Sequence, residues 1–123
     1  MGGTITEIEI EIDCIDPVPV SEFWSLVLGW EMHHDGDPCW MSATGEHVPG
    51  DLMLVFAPVP ESKTVKNRLH FDVSPFGCSP EDEVTRLIGL GARRADVGQC
   101  ECRWIVLADP EGNEFCLLPT QVG

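Results

Sequence analysis

Phe23-Trp24-Ser25-Leu26-Val27-Leu28-Gly29-Trp30 in the first half of the chain is echoed by Thr85-Arg86-Leu87-Ile88-Gly89-Leu90-Gly91-Ala92 in the second. Each copy reads as a helix that stops at a glycine. An apolar strand precedes each helix, Ile5 to Ile15 and then Leu69 to Val73. Short strands follow each helix and close on the corners Gly50-Asp51 and Gly112-Asn113. The spacing predicts one design written twice, two βαβββ units over about residues 4–57 and 68–119, joined by a linker at 58–67. The predicted fold class is α+β, with helices packed on one face of mostly antiparallel sheet.

The local signals agree with this division. Ile8, Ile10 and Ile12 alternate with Glu9, Glu11 and Asp13, the pattern of a half-buried strand carrying an acidic row. Asp16-Pro17 turns into a helix expected from about Val20 to Leu28, with Phe23, Leu26 and Val27 at core spacing and Gly29 free to take a left-handed cap. Strands are predicted at Trp30 to His34, Cys39 to Ala43 and Asp51 to Ala57, the first two joined by Asp35-Gly36-Asp37-Pro38. The linker contains two prolines and is expected to be exposed and mobile. In the second unit, Ser79-Pro80-Glu81-Asp82 combines a serine cap, a first-turn proline and two carboxylates, and predicts a helix to about Leu90. A short strand at Arg93 to Val97 precedes a hairpin of Trp104 to Ala108 and Glu114 to Leu118.

Composition narrows the function classes. A chain of 123 residues, 43% hydrophobic, buries one core and is too small for two independent domains. Seven basic residues against 21 acidic ones give a net charge of −14, which opposes nucleic acid and anionic membranes and favours cationic ligands. The sequence begins without a signal-like apolar stretch and has no bilayer-length apolar run, so a cytoplasmic location is expected. The six cysteines are accordingly expected as reduced thiols, and the CxxC pairs of structural zinc sites are absent.

FWSLVLGWE after the first strand, NRLHFDV at the start of the second unit and LADPEGNEFCLL at the end resemble the vicinal oxygen chelate superfamily, the group of glyoxalase I, bleomycin-resistance proteins, fosfomycin-resistance enzymes and extradiol dioxygenases. The resemblance covers nearly the whole chain and is greatest to small glyoxalase-like domains. It implies eight strands in two curved sheets around a shared cleft, helices on the outside, and a homodimer. In metal-dependent members, four cleft positions hold the ion, and the motifs carry these onto Glu9, approximately Leu54, His70 and Cys116. Two of the four depart from the pattern. Leucine cannot coordinate, and Cys116 stands where such members usually carry a carboxylate. Glu114 lies on the same face as Cys116 but is displaced by ~6.6 Å along the strand.

Three functions remain open. Glu9, Glu11, Asp13, His70 and Asp72 share faces opposite their strands' apolar rows, and with Trp104 they suit a cationic or aromatic small molecule through charge pairing, stacking and cation–π contact. Leu54, Glu114 and Cys116 complete this expected lining. This binding reading needs no cofactor and is the favoured expectation. The alternative is a metal-dependent lyase, isomerase or dioxygenase in which Glu9, His70 and Cys116 hold one zinc, nickel, manganese or iron ion, with Glu11 or Asp72 moving protons. The third is a metal-free enzyme using His70, Asp72 and Glu11 as acid and base. Trp24 is expected in core or dimer packing, and His33, His34 and His47 at the surface.

Overall fold

The computed structural model describes residues 3, 8–34, 38–45, 52–95 and 105–120. Expectations for Ile5, the Asp35-Gly36-Asp37 turn, His47, the Gly50-Asp51 corner, Cys100, Cys102 and Trp104 lie outside the described residues. The fold is α+β, made of two βαβββ modules, and the chain divides into Met1–Ser62 and Lys63–Gly123.

The first unit contains β1 (Glu9–Cys14), α1 (Pro17–Leu28), β2 (Met32–His34), β3 (Cys39–Ser42) and β4 (Met53–Pro58). Its strands form one open sheet in the order β1-β4-β3-β2, parallel between β1 and β4 and antiparallel elsewhere. The helix starts three residues earlier than expected. Asp16 caps it by accepting the Val18 N–H, and Pro17, at the first helical position, gives up an N–H that a helix start leaves unpaired. At the other end, Gly29 adopts φ 72° and donates its N–H to the Ser25 carbonyl at 2.8 Å.

Register decides which side chains share a face. Ile10, Leu54, Met41 and Met32 form one row across the sheet, and Ile12, Phe56, Cys39 and His34 the next. Leu54, Met41, Phe56 and Cys39 in these rows are buried, and α1 packs over β2, β3 and β4. The helix contributes Val20, Phe23 and Trp24, the last two meeting edge to face at 5.2 Å. Trp24 is thus a core residue, as expected. Leu26 is not: it stands 59% exposed, because the buried stripe passes through Phe23 and Trp24 instead.

The second unit contains β5 (Asp72–Val73), α2 (Pro80–Leu90), β6 (Arg93–Arg94), β7 (Ile105–Ala108) and β8 (Glu114–Leu117) in an open sheet of order β5-β8-β7-β6. The pairing repeats the first unit: parallel between β5 and β8, antiparallel elsewhere. Ser79 caps α2 by accepting the Asp82 N–H, and Glu81, Asp82 and Glu83 occupy the first turn. Between β7 and β8, the buried Asp109 carboxylate accepts the N–H groups of Glu111 and Asn113, both at 2.9 Å, and the Asn113 side-chain amide at 3.2 Å. These bonds hold the corner that aligns β8.

The stretch expected as a linker carries bonds to the second unit. Lys63 and Asn67 are half-buried and bonded to Glu114, so the second half of the stretch is strapped to the second unit.

Candidate functional site

The described residues predicted for the site fall on two sheets, one in each unit. In the first, strand alternation places Glu9, Glu11 and Asp13 on the face opposite α1, all three exposed. The row through Glu11 continues as Val55, Trp40 and His33. The His33 and Trp40 rings stack with centroids 4.2 Å apart and planes at 16°. His33 is therefore half-buried against an indole rather than a surface turn residue, and its Nε2 is buried without a hydrogen-bond partner among the described residues.

This register settles the leucine position. Leu54 lies in the Ile10 row, 2% exposed, on the helix face and away from Glu9 and Glu11. Val55 takes the place beside Glu11. Neither side chain can ligate a metal, so in the first unit only the β1 carboxylates offer donors on that face among the residues predicted for the site.

In the second unit, β5 pairs with β8 so that Asp72 lies opposite Cys116. The Cys116 N–H donates to the Phe71 carbonyl at 2.9 Å and the Leu118 N–H to the Val73 carbonyl at 2.8 Å, fixing the two segments side by side. His70, two residues before Asp72, brings its Nδ1 to 3.1 Å from Asp72 Oδ1. One donor atom each from His70, Asp72 and Cys116 lie within 4.8 Å of one another. His70 and Asp72 are exposed and Cys116 is half-buried. The structure thus brings together three of the predicted residues and makes Asp72, expected to move protons, the nearest companion of His70. The signal for this was the i, i+2 spacing of His70 and Asp72, which points both side chains the same way on extended chain.

Glu114 plays a different part. Its carboxylate forms an ion pair with Lys63 at 3.0 Å and accepts the Asn67 N–H at 2.9 Å. Burial alone would push its pKa up, but the Asn67 N–H and the Lys63 ammonium outweigh it and hold the group below the ordinary glutamate value. Both carboxylate oxygens of Glu114 are thus engaged by Lys63 and Asn67, which anchors this stretch to β8. Trp104, the aromatic residue predicted for this lining, lies outside the described residues.

A βαβββ module repeated, with acidic and imidazole side chains on the sheet faces, defines the vicinal oxygen chelate class. The glyoxalase-like domain model matches residues 9–118, and the chain belongs to that family. Solved structures repeat the fold. A fosfomycin resistance protein from Listeria monocytogenes, complexed with Mn(II) and a dihydroxypropylphosphonic acid, aligns over 99% of this chain and 94% of its own at TM-score 0.62 and 17% identity. A glyoxalase/bleomycin resistance protein/dioxygenase family enzyme from Burkholderia phytofirmans aligns over 89% and 94% at TM-score 0.56 and 20% identity. A hypothetical protein from S. aureus covers 95% and 99% at TM-score 0.59 and 12% identity. No curated protein is similar enough in sequence to match. Among the described residues no helix is long and apolar enough to cross a membrane.

Proposed function

We propose that this glyoxalase-like protein binds a small organic molecule, cationic or aromatic, on the acidic and aromatic face of its first sheet. The observation that carries the reading is the single row Glu11, Val55, Trp40 and His33, in which a stacked aromatic pair lies in line with a carboxylate and Glu9 and Asp13 flank it along β1. A flat cation gains a stacking surface from the indole and charge pairing from the carboxylates. The net charge of −14 draws such a ligand toward the protein. Homodimer formation and a cytoplasmic location belong to the same proposal.

Isothermal titration against a panel of flat organic cations tests it. Trp40→Ala should weaken the bound compound by about 0.5–2 kcal/mol, roughly 2- to 30-fold in Kd. A panel with no binder, or a binder indifferent to Trp40→Ala and to Glu11→Gln, rejects the reading.

One observation favours a second reading, a metal-dependent lyase, isomerase or dioxygenase: the convergence of His70, Asp72 and Cys116 within 4.8 Å. Imidazole, carboxylate and thiolate are chemically suited to a borderline divalent ion, which when bound would polarise substrate oxygens as a Lewis acid. The chain's own part in that case is to hold and orient the donors. Without an ion, the hydrogen-bonded His70 and Asp72 remain an acid–base pair, the basis of the metal-free enzyme alternative.

A further inference from the structure

The ligand proposed for the first sheet makes no use of the second unit's thiol. We propose that Cys116 is a nucleophile that adds covalently to α,β-unsaturated carbonyl compounds, with His70 as its base and Asp72 as the residue that positions the base.

Three observations build this site. The pairing of β5 with β8 makes Asp72 and Cys116 register partners, and the bond from the Cys116 N–H to the Phe71 carbonyl at 2.9 Å fixes the backbone that carries the thiol beside β5. The Asp72 carboxylate accepts from His70 Nδ1 at 3.1 Å, which places the ring proton on Nδ1 and leaves Nε2 as the basic nitrogen. One atom each of thiol, imidazole and carboxylate lie within 4.8 Å of one another, so a rotation about the side-chain bonds of His70 or Cys116 closes a thiol–imidazole hydrogen bond. A nucleophile beside a base that a third group orients is the arrangement that activates a cysteine.

The chemistry follows from these groups. Cys116 is half-buried and outside any disulfide, while the His70 and Asp72 side chains are 40% and 49% exposed, which leaves an electrophile a way in. The thiol proton passes to His70 Nε2 as the sulfur lone pair forms an S–C bond at the β-carbon. The C=C π pair moves toward the carbonyl as an enolate, and the α-carbon then takes the proton back from His70. The sum is addition of S–H across C=C: nothing is oxidised or reduced, no group leaves, and the base is regenerated. The polarisable sulfur suits this soft carbon. Peroxide chemistry would need a reductant to restore the thiol, and acyl transfer a second nucleophile to release the product, whereas the addition balances with the electrophile alone. Glu114, two residues along β8 on the same face, has its oxygens engaged by Lys63 and Asn67 and so does not take the thiol proton. All three residues belong to the second unit, and the reaction needs no ligand on the first sheet.

Acrylamide, an uncharged α,β-unsaturated amide, is the probe. The full chain is incubated with it at neutral pH, with a chelator present so that a stray ion does not mask the thiol, and alkylation of each cysteine is followed by peptide mass mapping. Cys78, also half-buried and in the same unit, is the internal reference. Cys116 should react roughly 100-fold faster than Cys78, the lower end of what a positioned base contributes. His70→Ala should remove that advantage, and an unchanged Cys78 rate shows that the fold is intact; His70→Gln gives the same reading if the alanine variant does not fold. Asp72→Asn should slow Cys116 roughly 10-fold or more, but have no further effect in the His70→Ala background. That coupling separates a residue that positions His70 from one that merely supports the strand. A Cys116 rate equal to that of Cys78, or one that His70→Ala leaves unchanged, overturns the proposal. Additive losses in the double variant overturn the part given to Asp72.

Discussion

Glu114 shows how a residue can be legible in type while its partners are not. The sequence places an acid two residues from Cys116 on the same strand face, which reads as lining; Lys63 and Asn67, remote in sequence, turn it into a strap. Because its folded pKa is depressed, its contribution to stability is fully present above the ordinary glutamate value of 4.5 and is lost as pH falls below that value through the folded pKa. Glu114→Gln should cost about 1.5–3 kcal/mol at neutral pH, the worth of hydrogen bonds to a charged group. It should also flatten the acid limb of the stability profile, measured as urea midpoints between neutral pH and the acid transition. An unchanged acid limb would show that the strap does not depend on the ionised carboxylate. His33 was misread for a related reason. Its proximity to a turn indicated exposure, and only the pairing of β2 with β3 lays its ring on Trp40.

At the scale of the element, the ends of helices were more legible than their buried faces. Caps are local chemistry, so Asp16-Pro17, Gly29 and Ser79-Pro80 mark their termini in any context. Ser79→Ala removes the acceptor for the Asp82 N–H and should destabilise the protein by about 1 kcal/mol. Thermal unfolding at neutral pH checks this, and a melting temperature equal to the wild type would mean that the cap contributes nothing net. The adjacent Glu83 and Arg86 pair is bidentate, at 2.7 and 2.9 Å, and its hydrogen bonds lower the Glu83 pKa, so acid should loosen the same helix start. Which face α1 buries was less legible, since Leu26 and Trp24 are both apolar and only packing over β2, β3 and β4 selects the tryptophan. Strand length also escaped the sequence: Leu69 to Val73 reads as a strand throughout, yet ladder pairing covers only Asp72–Val73 and leaves His70 ahead of it.

The whole chain carries the repeat, and that repeat is the reason its fold was readable. Two copies of strand, helix, glycine and hairpin reinforce one another, so an ambiguous segment in one copy is read from the other. Leu69, Phe76 and Val65 of the second unit are 90%, 73% and 75% exposed, apolar side chains that the proposed homodimer would be expected to cover. Light scattering after size exclusion should give twice the 13.6 kDa chain mass, and a monomer across the micromolar range would remove the dimer from the proposal. By itself the sequence determined the α+β class, the order of elements and the acidic character of β1, because periodicity, caps and charge are properties of neighbours along the chain, and its motifs carried the resemblance to the family. Tertiary structure decided the rest. It placed Val55 rather than Leu54 beside Glu11, stacked His33 on Trp40, bound Glu114 to the strap and gathered His70, Asp72 and Cys116. Each of these depends on the register between strands distant in sequence, and a shift of one residue reverses every side chain from one face of a sheet to the other.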